Sequence, residues 1–244
     1  MKRVPMSCST IFSLPQELLL EILALVASSS FFDLFHAKLS CRAFNGIAES
    51  NKDYIYKQVS LEKLPVDSWR DNSRVEQVFS FLRNCTENEN PQALYRQGLV
   101  EYFNHENLEK GLRYIKASSD SCHEGASYIF GVIMACDSTK CYQEVGMGVL
   151  KNIMKKKKKN SSLRECREKF KDIMKHQWRN KKLKPNPNSC HMKDEHKMTM
   201  TKMKNSGWLS ETERAEEIEC EECRCHWEVT YISNWLHGKS MYTF

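Results

Sequence analysis

Between Leu18 and Val26 the apolar residues recur at helical spacing. Leu18, Ile22 and Leu25 line one side, and Leu19, Leu23 and Val26 extend it. Glu17 and Glu21 lie four residues apart on a second side that Ala24 and Ser28 continue. This pattern predicts an amphipathic helix with a broad apolar stripe. Two start signals precede it. Ser13 with Gln16 fits a capping box, while Pro15 favours the first helical position. They imply registers that differ by one residue. The same run has the outline of a secretory leader, with Lys2 and Arg3 ahead of it and Ala27-Ser28-Ser29 behind. Two carboxylates inside the apolar region argue against that reading, although the sequons Asn84-Cys85-Thr86 and Asn160-Ser161-Ser162 are present.

After the Ser28-Ser29-Ser30 break, Leu34, Ala37, Leu39, Cys41 and Phe44 are apolar at mixed helical spacing. Tyr54, Ile55 and Val59 then anchor a closing segment. The pattern predicts three short helices in about 50 residues, a size that is marginal alone. A further helical run, RVEQVFSFLRNC, follows the polar stretch PVDSWRDNS.

From Pro91 the pattern repeats. PQALYRQGLVEYF and EGASYIFGVIMAC align at an offset of 33 residues, pairing Ala93 with Ala126, Tyr95 with Tyr128 and Gly98 with Gly131. Partner helices are expected from Glu109 and Gln143. Small residues at these positions let helices approach closely, and the tyrosines fill the seams. That is the logic of stacked helical hairpins.

Further on, Leu163, Phe170, Ile173 and Met174 mark an amphipathic basic helix. SETERAEEIE reads as an acidic helix capped by Ser210, and the alternation in WEVTYISNWL predicts a terminal strand.

Composition changes this picture little. With 244 residues, 9 Gly and 6 Pro, the chain has room for one or two domains and a helical bias. No run of 18 apolar residues occurs, so no membrane span is expected. Charge changes it more. The net charge is +6, yet residues 151–184 carry 15 Lys and Arg against 3 acids, so the rest of the chain is net acidic. Five consecutive lysines, Lys155 to Lys159, read as a solvated tract or nuclear import signal, which points to nucleus or cytoplasm. The 11 cysteines are odd in number and most sit singly within helical patterns, which fits buried thiols better than disulfides.

The N-terminal blocks resemble an F-box. The matching residues are Leu14-Pro15, Glu21-Ile22-Leu23, Asp33-Leu34, Leu39-Ser40-Cys41-Arg42 with Phe44, and Val59-Ser60-Leu61. VASSSFFDLFHAKLSCRAF is similar to a plant F-box subgroup, with Phe44 where Trp is common. The resemblance implies binding to the Skp-family adaptor of a cullin-RING ubiquitin ligase. Leu14, Pro15, Leu18, Ile22, Leu23, Leu34 and Leu39 would carry that contact. For Ile22 and Leu25 burial in an internal core explains the residue types equally well. The middle of the chain resembles Sel-like or tetratricopeptide-like repeats. That resemblance implies a protein substrate bound near Tyr95 and Tyr128, or alternatively a spacer.

The expectation is a mainly α chain: an F-box over 12–64, helical repeats over 72–153, a basic linker or helix over 154–189, and a partly disordered Cys-rich tail over 190–244. No nucleophile–base pair or phosphate loop appears, so a non-catalytic adaptor is expected. The rival is a basic, zinc-containing nucleic-acid binder. Cys220 and Cys223 have C-x-x-C spacing, with Cys225 and His226 beside them. Cys190 with His191 or His196 would have to complete a four-ligand zinc site. No aromatic platform accompanies the lysines, which disfavours specific nucleic-acid reading. No thioredoxin-type pattern surrounds the C-x-x-C.

Overall fold

A computed structural model describes residues 11–64, 75–105, 107–156, 161–175, 182–185, 218 and 220–238. Among the described residues there are eleven α-helices and no strand. The chain divides into two compact units, Met1–Ala93 and Leu94–Phe244.

The first unit contains α1 (Gln16–Ser29), α2 (Phe31–Ser40), α3 (Arg42–Ser50), α4 (Lys52–Gln58) and α5 (Val75–Glu87), and ends in the first turn of α6 (Pro91–Phe103). Pro15 is the N-cap of α1, with φ −52° and ψ 148°, so Gln16 is the first helical residue. Neither expected register forms: Ser13 is not the N-cap, and Pro15 stands one position before the first helical residue. Ser30 is extended, and its hydroxyl accepts from the Asp33 N–H at 3.3 Å, which closes α1 and caps α2. Cys41 repeats the device: its backbone is extended and its Sγ accepts from the Phe44 N–H at 3.3 Å. The stretch after the serine break is therefore divided into α2 and α3, so four helices stand between Gln16 and Gln58 where the pattern predicts three.

Leu19, Leu23 and Ala27 of α1 form one core with Phe31 and Leu34 of α2, Ile47 and Ala48 of α3, Ile55 of α4 and Cys85 of α5. Phe81 of α5 lies 6.0 Å from Phe31 and 5.8 Å from Tyr56, ring centre to ring centre. Buried Asn90 closes the unit. Its amide donates to the Tyr56 and Val59 carbonyls at 2.9 and 2.8 Å, while its Oδ1 accepts from the N–H groups of Gln92 and Ala93 and caps α6.

The second unit holds the rest of α6, then α7 (Leu108–Asp120), α8 (Glu124–Ala135), α9 (Lys140–Lys156), α10 (Ser161–Met174) and α11 (Glu221–Leu236). Two close helix crossings organise it. A Cβ on Gly98 would stand 2.7 Å from Ile115 Cγ1 and 3.1 Å from the Gly111 carbonyl oxygen. A Cβ on Gly131 would stand 3.0 Å from Leu150 Cγ and 3.2 Å from the Gly146 carbonyl oxygen. The α6–α7 and α8–α9 pairs are thus equivalent hairpins. Gly98 and Gly131 keep the 33-residue offset, but Gly111 and Gly146 are 35 residues apart, because the second hairpin is two residues longer between its glycines.

The helical part of the basic segment belongs to this core. Leu163, Cys166, Phe170 and Met174 of α10 are all buried in it. The C-terminal WEVTYISNWL is helix α11, not a strand. The alternation misled because α11 is buried nearly all round: Trp227, Val229, Tyr231, Ile232 and Leu236 are inside, and so are Glu228, Ser233 and Asn234. A helix buried on every side loses its 3.6-residue polar signature. Ser210 and the acidic segment before Ile218 lie outside the described residues.

Candidate functional site

Helix α1 has two apolar faces. Leu19, Leu23 and Ala27 point into the core. Leu14, just before the helix, and Leu18 and Leu25 on it are exposed, at 38%, 50% and 67%, and Ile22 is half-buried. The spacing 18, 22, 25 puts these three on one stripe of α1, with Leu14 exposed just before the helix begins. The Leu-Pro entry is held by backbone bonds: the Leu14 N–H donates to Ile11 at 3.2 Å, and the Pro15 carbonyl accepts from the N–H groups of Leu18 and Leu19. Glu21 lies at the border, where its Oε1 accepts from the Tyr54 hydroxyl at 3.0 Å. Helix α2 offers a second exposed apolar stripe of Phe32, Phe35 and Leu39, with Leu39 82% exposed.

The seven residues that the sequence assigned to an adaptor contact therefore separate. Leu14, Pro15, Leu18 and Leu39 are exposed, and Ile22 is half-buried. Leu23 and Leu34 are each 1% exposed and belong to the internal core, beneath that surface. Leu25, Phe32 and Phe35 were not among those residues. The signal was available: Leu25 lies one helical repeat beyond Leu18, and 32, 35 and 39 have the same spacing.

The repeat tyrosines expected to receive a substrate are core residues instead. Tyr95 packs its ring 4.7 Å from that of His123, and its O–H is buried with no hydrogen-bond partner among the described residues. Tyr128 is fully buried and donates to Glu228 Oε2 on α11 at 2.9 Å. Glu228 Oε1 accepts from Arg167 on α10 at 2.5 Å. The Arg167 guanidinium lies 5.2 and 5.1 Å from the ring centres of Trp227 and Tyr231. Burial pushes the Glu228 carboxyl above its ordinary range, against the opposing pull of Arg167 and the Tyr128 hydroxyl. Burial also raises the Tyr128 phenol far out of the titrating range. Next to this network, Lys171 donates to the Tyr231 hydroxyl at 3.2 Å. With 167 facing 228 and 171 facing 231, α10 and α11 run in the same direction. Both pack on α8, and so fill the side of the second hairpin that carries Tyr128.

At the C-terminal cysteines, Cys220 is the N-cap of α11 and Cys223 is buried in its first turn. Cys225 is fully buried, which pushes its thiol up to about 12. Among the described residues no group of three or more His, Cys, Asp and Glu is arranged to hold a metal ion. Cys190, His191 and His196, the expected complement, lie outside the described residues. No described helix is long and apolar enough to cross a membrane.

Comparison with known proteins bears on both units. Residues 61–175 match the family described as plant tetratrico peptide repeats. A putative F-box protein of Arabidopsis thaliana is 30% identical over 143 residues, 59% of this chain and 46% of its own length. A second Arabidopsis thaliana F-box protein is 27% identical over 128 residues, 52% of this chain and 75% of its own. The chain is similar to plant F-box proteins and, over residues 61–175, to plant tetratrico peptide repeats. It spans less than half the length of the first of these relatives. No solved structure matches it.

Proposed function

We propose that this chain is a non-catalytic adaptor subunit of an SCF-type ubiquitin ligase, acting in nucleus or cytoplasm. The first unit binds a Skp-family adaptor, which brings the cullin and RING subunits. The second unit recruits a protein substrate. The observation that carries the reading is the exposed stripe of Leu14, Leu18 and Leu25 beside Pro15. A soluble helix that buries one apolar face and leaves a second one bare has surface to cover by association. Each leucine that becomes buried on docking contributes about 1.5–3 kcal/mol.

The burial of Tyr95 and Tyr128 moves substrate recruitment off these side chains and onto some other surface of the second unit. The rival reading, a nucleic-acid binder, is weakened by Arg167, whose charge is spent on Glu228 inside the protein. Co-precipitation with a Skp-family adaptor tests the proposal. Leu14→Ala with Pro15→Ala should lose the adaptor while the fold is kept, since both side chains are exposed. Equal recovery of adaptor by both forms rejects it.

A further inference from the structure

Helix α11 reaches its place in the second unit by a long route. Helix α10 ends at Met174 and α11 begins at Glu221, whereas packed helices are commonly joined by about 2–8 residues. The place of α11 is therefore set by its side chains and not by a tight turn. The helix also lies beyond residues 61–175, the stretch similar to plant tetratrico peptide repeats. It is an addition seated against α8 and α9 of that stretch, with α10 alongside.

The seat contains a carboxylate site. Donors from two helices converge on one carboxylate that a third supplies. The Tyr128 hydroxyl of α8 donates to Glu228 Oε2 at 2.9 Å, and the Arg167 guanidinium of α10 donates to Glu228 Oε1 at 2.5 Å. The surrounding contacts are aromatic. The rings of Trp227 and Tyr231 lie 5.2 and 5.1 Å from the guanidinium. Lys171 donates to the Tyr231 hydroxyl at 3.2 Å, and Trp235 meets Phe170 at 5.8 Å. Tyr128, Arg167, Phe170 and Lys171 belong to the seat. The acid and its aromatic neighbours belong to α11.

This division makes the seat selective. A helix with no carboxylate at this point would bury Arg167 unpaired, and breaking a buried pair in that way is strongly unfavourable. A helix with the acid alone would lose the cation–π contacts. Departure of α11 strands neither charge, because water reaches Arg167 and Glu228 as they part. A buried pair is close to break-even against its hydrated partners, so it selects the occupant more than it holds it.

We propose that α11 is a tethered occupant of a helix-binding seat on the second unit, and that the seat takes in its place a partner helix of the pattern aromatic–Glu–x–x–aromatic, as in Trp227-Glu228-Val229-Thr230-Tyr231. The proposal deepens the substrate-recruiting reading of the second unit and rests on it. While α11 is seated, Tyr128 is closed to any partner; the exchange is the event that brings its hydroxyl to one.

The test adds a labelled synthetic peptide of residues 218–238 to the folded full chain. A tether supplies an effective concentration on the order of millimolar at most, so the peptide is titrated up to that range. The expected result is saturable one-to-one uptake with the helical circular dichroism of the chain kept. Glu228→Gln in the peptide should weaken uptake at least about tenfold, the loss of a charge-assisted hydrogen bond. The same substitution in the chain should increase uptake, because there it weakens the competitor. A fixed core helix gives neither effect. Absence of uptake by the folded unsubstituted chain, or equal uptake of the two peptides, overturns the proposal. Co-precipitation of a Skp-family adaptor from the same samples separates the two readings. Adaptor retained without peptide uptake overturns the seat alone, and uptake without adaptor overturns the ligase reading while supporting the seat.

Discussion

The Arg167 guanidinium donates to the Glu228 carboxylate at 2.5 Å between two helices joined by a long stretch of chain, with Arg167 1% and Glu228 2% exposed. Buried pairs of this kind are costly to break and cheap to replace as a pair, because removing one partner leaves an uncompensated charge. Arg167→Met or Glu228→Leu alone should each cost about 3–5 kcal/mol. The two together should cost well under the sum. Urea denaturation of the four forms measures the coupling, and simple additivity would show that the pair does not interact in solution.

The glycine crossings make a second prediction. A Cβ on Gly146 would stand 2.6 Å from the Gly131 carbonyl oxygen and press on the backbone of Ala135, so Gly146→Ala should destabilise by about 1–3 kcal/mol. Gly148, two residues on in the same helix, has nothing among the described residues within 4 Å of the same atom. Gly148→Ala should therefore stabilise, by about 0.5–1 kcal/mol from helix propensity alone. Thermal denaturation distinguishes them by sign, and equal effects at both sites would mean that α8 and α9 are not packed this closely.

Acid stability depends in part on Glu101. Its Oε1 accepts from Lys110 at 2.6 Å and from Gln97 at 3.0 Å, and its Oε2 lies 3.6 Å from His105. The Lys110 hydrogen bond in particular holds this carboxyl below the usual Glu range, against the raising effect of its burial. A lowered folded-state value means that the unfolded chain takes up the proton first. The contribution is complete above the ordinary Glu value of about 4.3 and is lost as pH falls through the lowered value. Glu101→Gln should flatten the acid limb of the stability profile below about pH 4.3. An unchanged acid limb, followed by circular dichroism, contradicts this assignment.

Much of the fold could be read from the residues. Gly98 and Gly131 announced the paired hairpins because a close crossing demands a missing side chain at a fixed offset. Leu14-Pro15 and the leucines after it announced the exposed stripe. What the pattern concealed has one physical cause: polar groups that are satisfied by distant partners. Arg167 sits in a strongly basic segment and reads as solvated, since its partner Glu228 is 61 residues away. Glu228, Ser233 and Asn234 gave α11 the alternation of a strand, yet all three are buried, and Ser233 donates to the Leu183 carbonyl. Tyr128 looked like a binding residue for the same reason. Its hydroxyl partner is on α11, a hundred residues on.

The central claim is the adaptor contact on α1, and calorimetric titration of a purified Skp-family adaptor into the full chain tests it most directly. Leu14→Ala with Leu18→Ala removes two exposed side chains from the stripe, while Leu23→Ala removes a core one. The exposed pair should weaken binding at least about tenfold, equivalent to about 1.4 kcal/mol, with no change in melting temperature. Leu23→Ala should instead lower the melting temperature, at a cost of about 2–5 kcal/mol. Unchanged affinity in the Leu14→Ala, Leu18→Ala form would contradict the account.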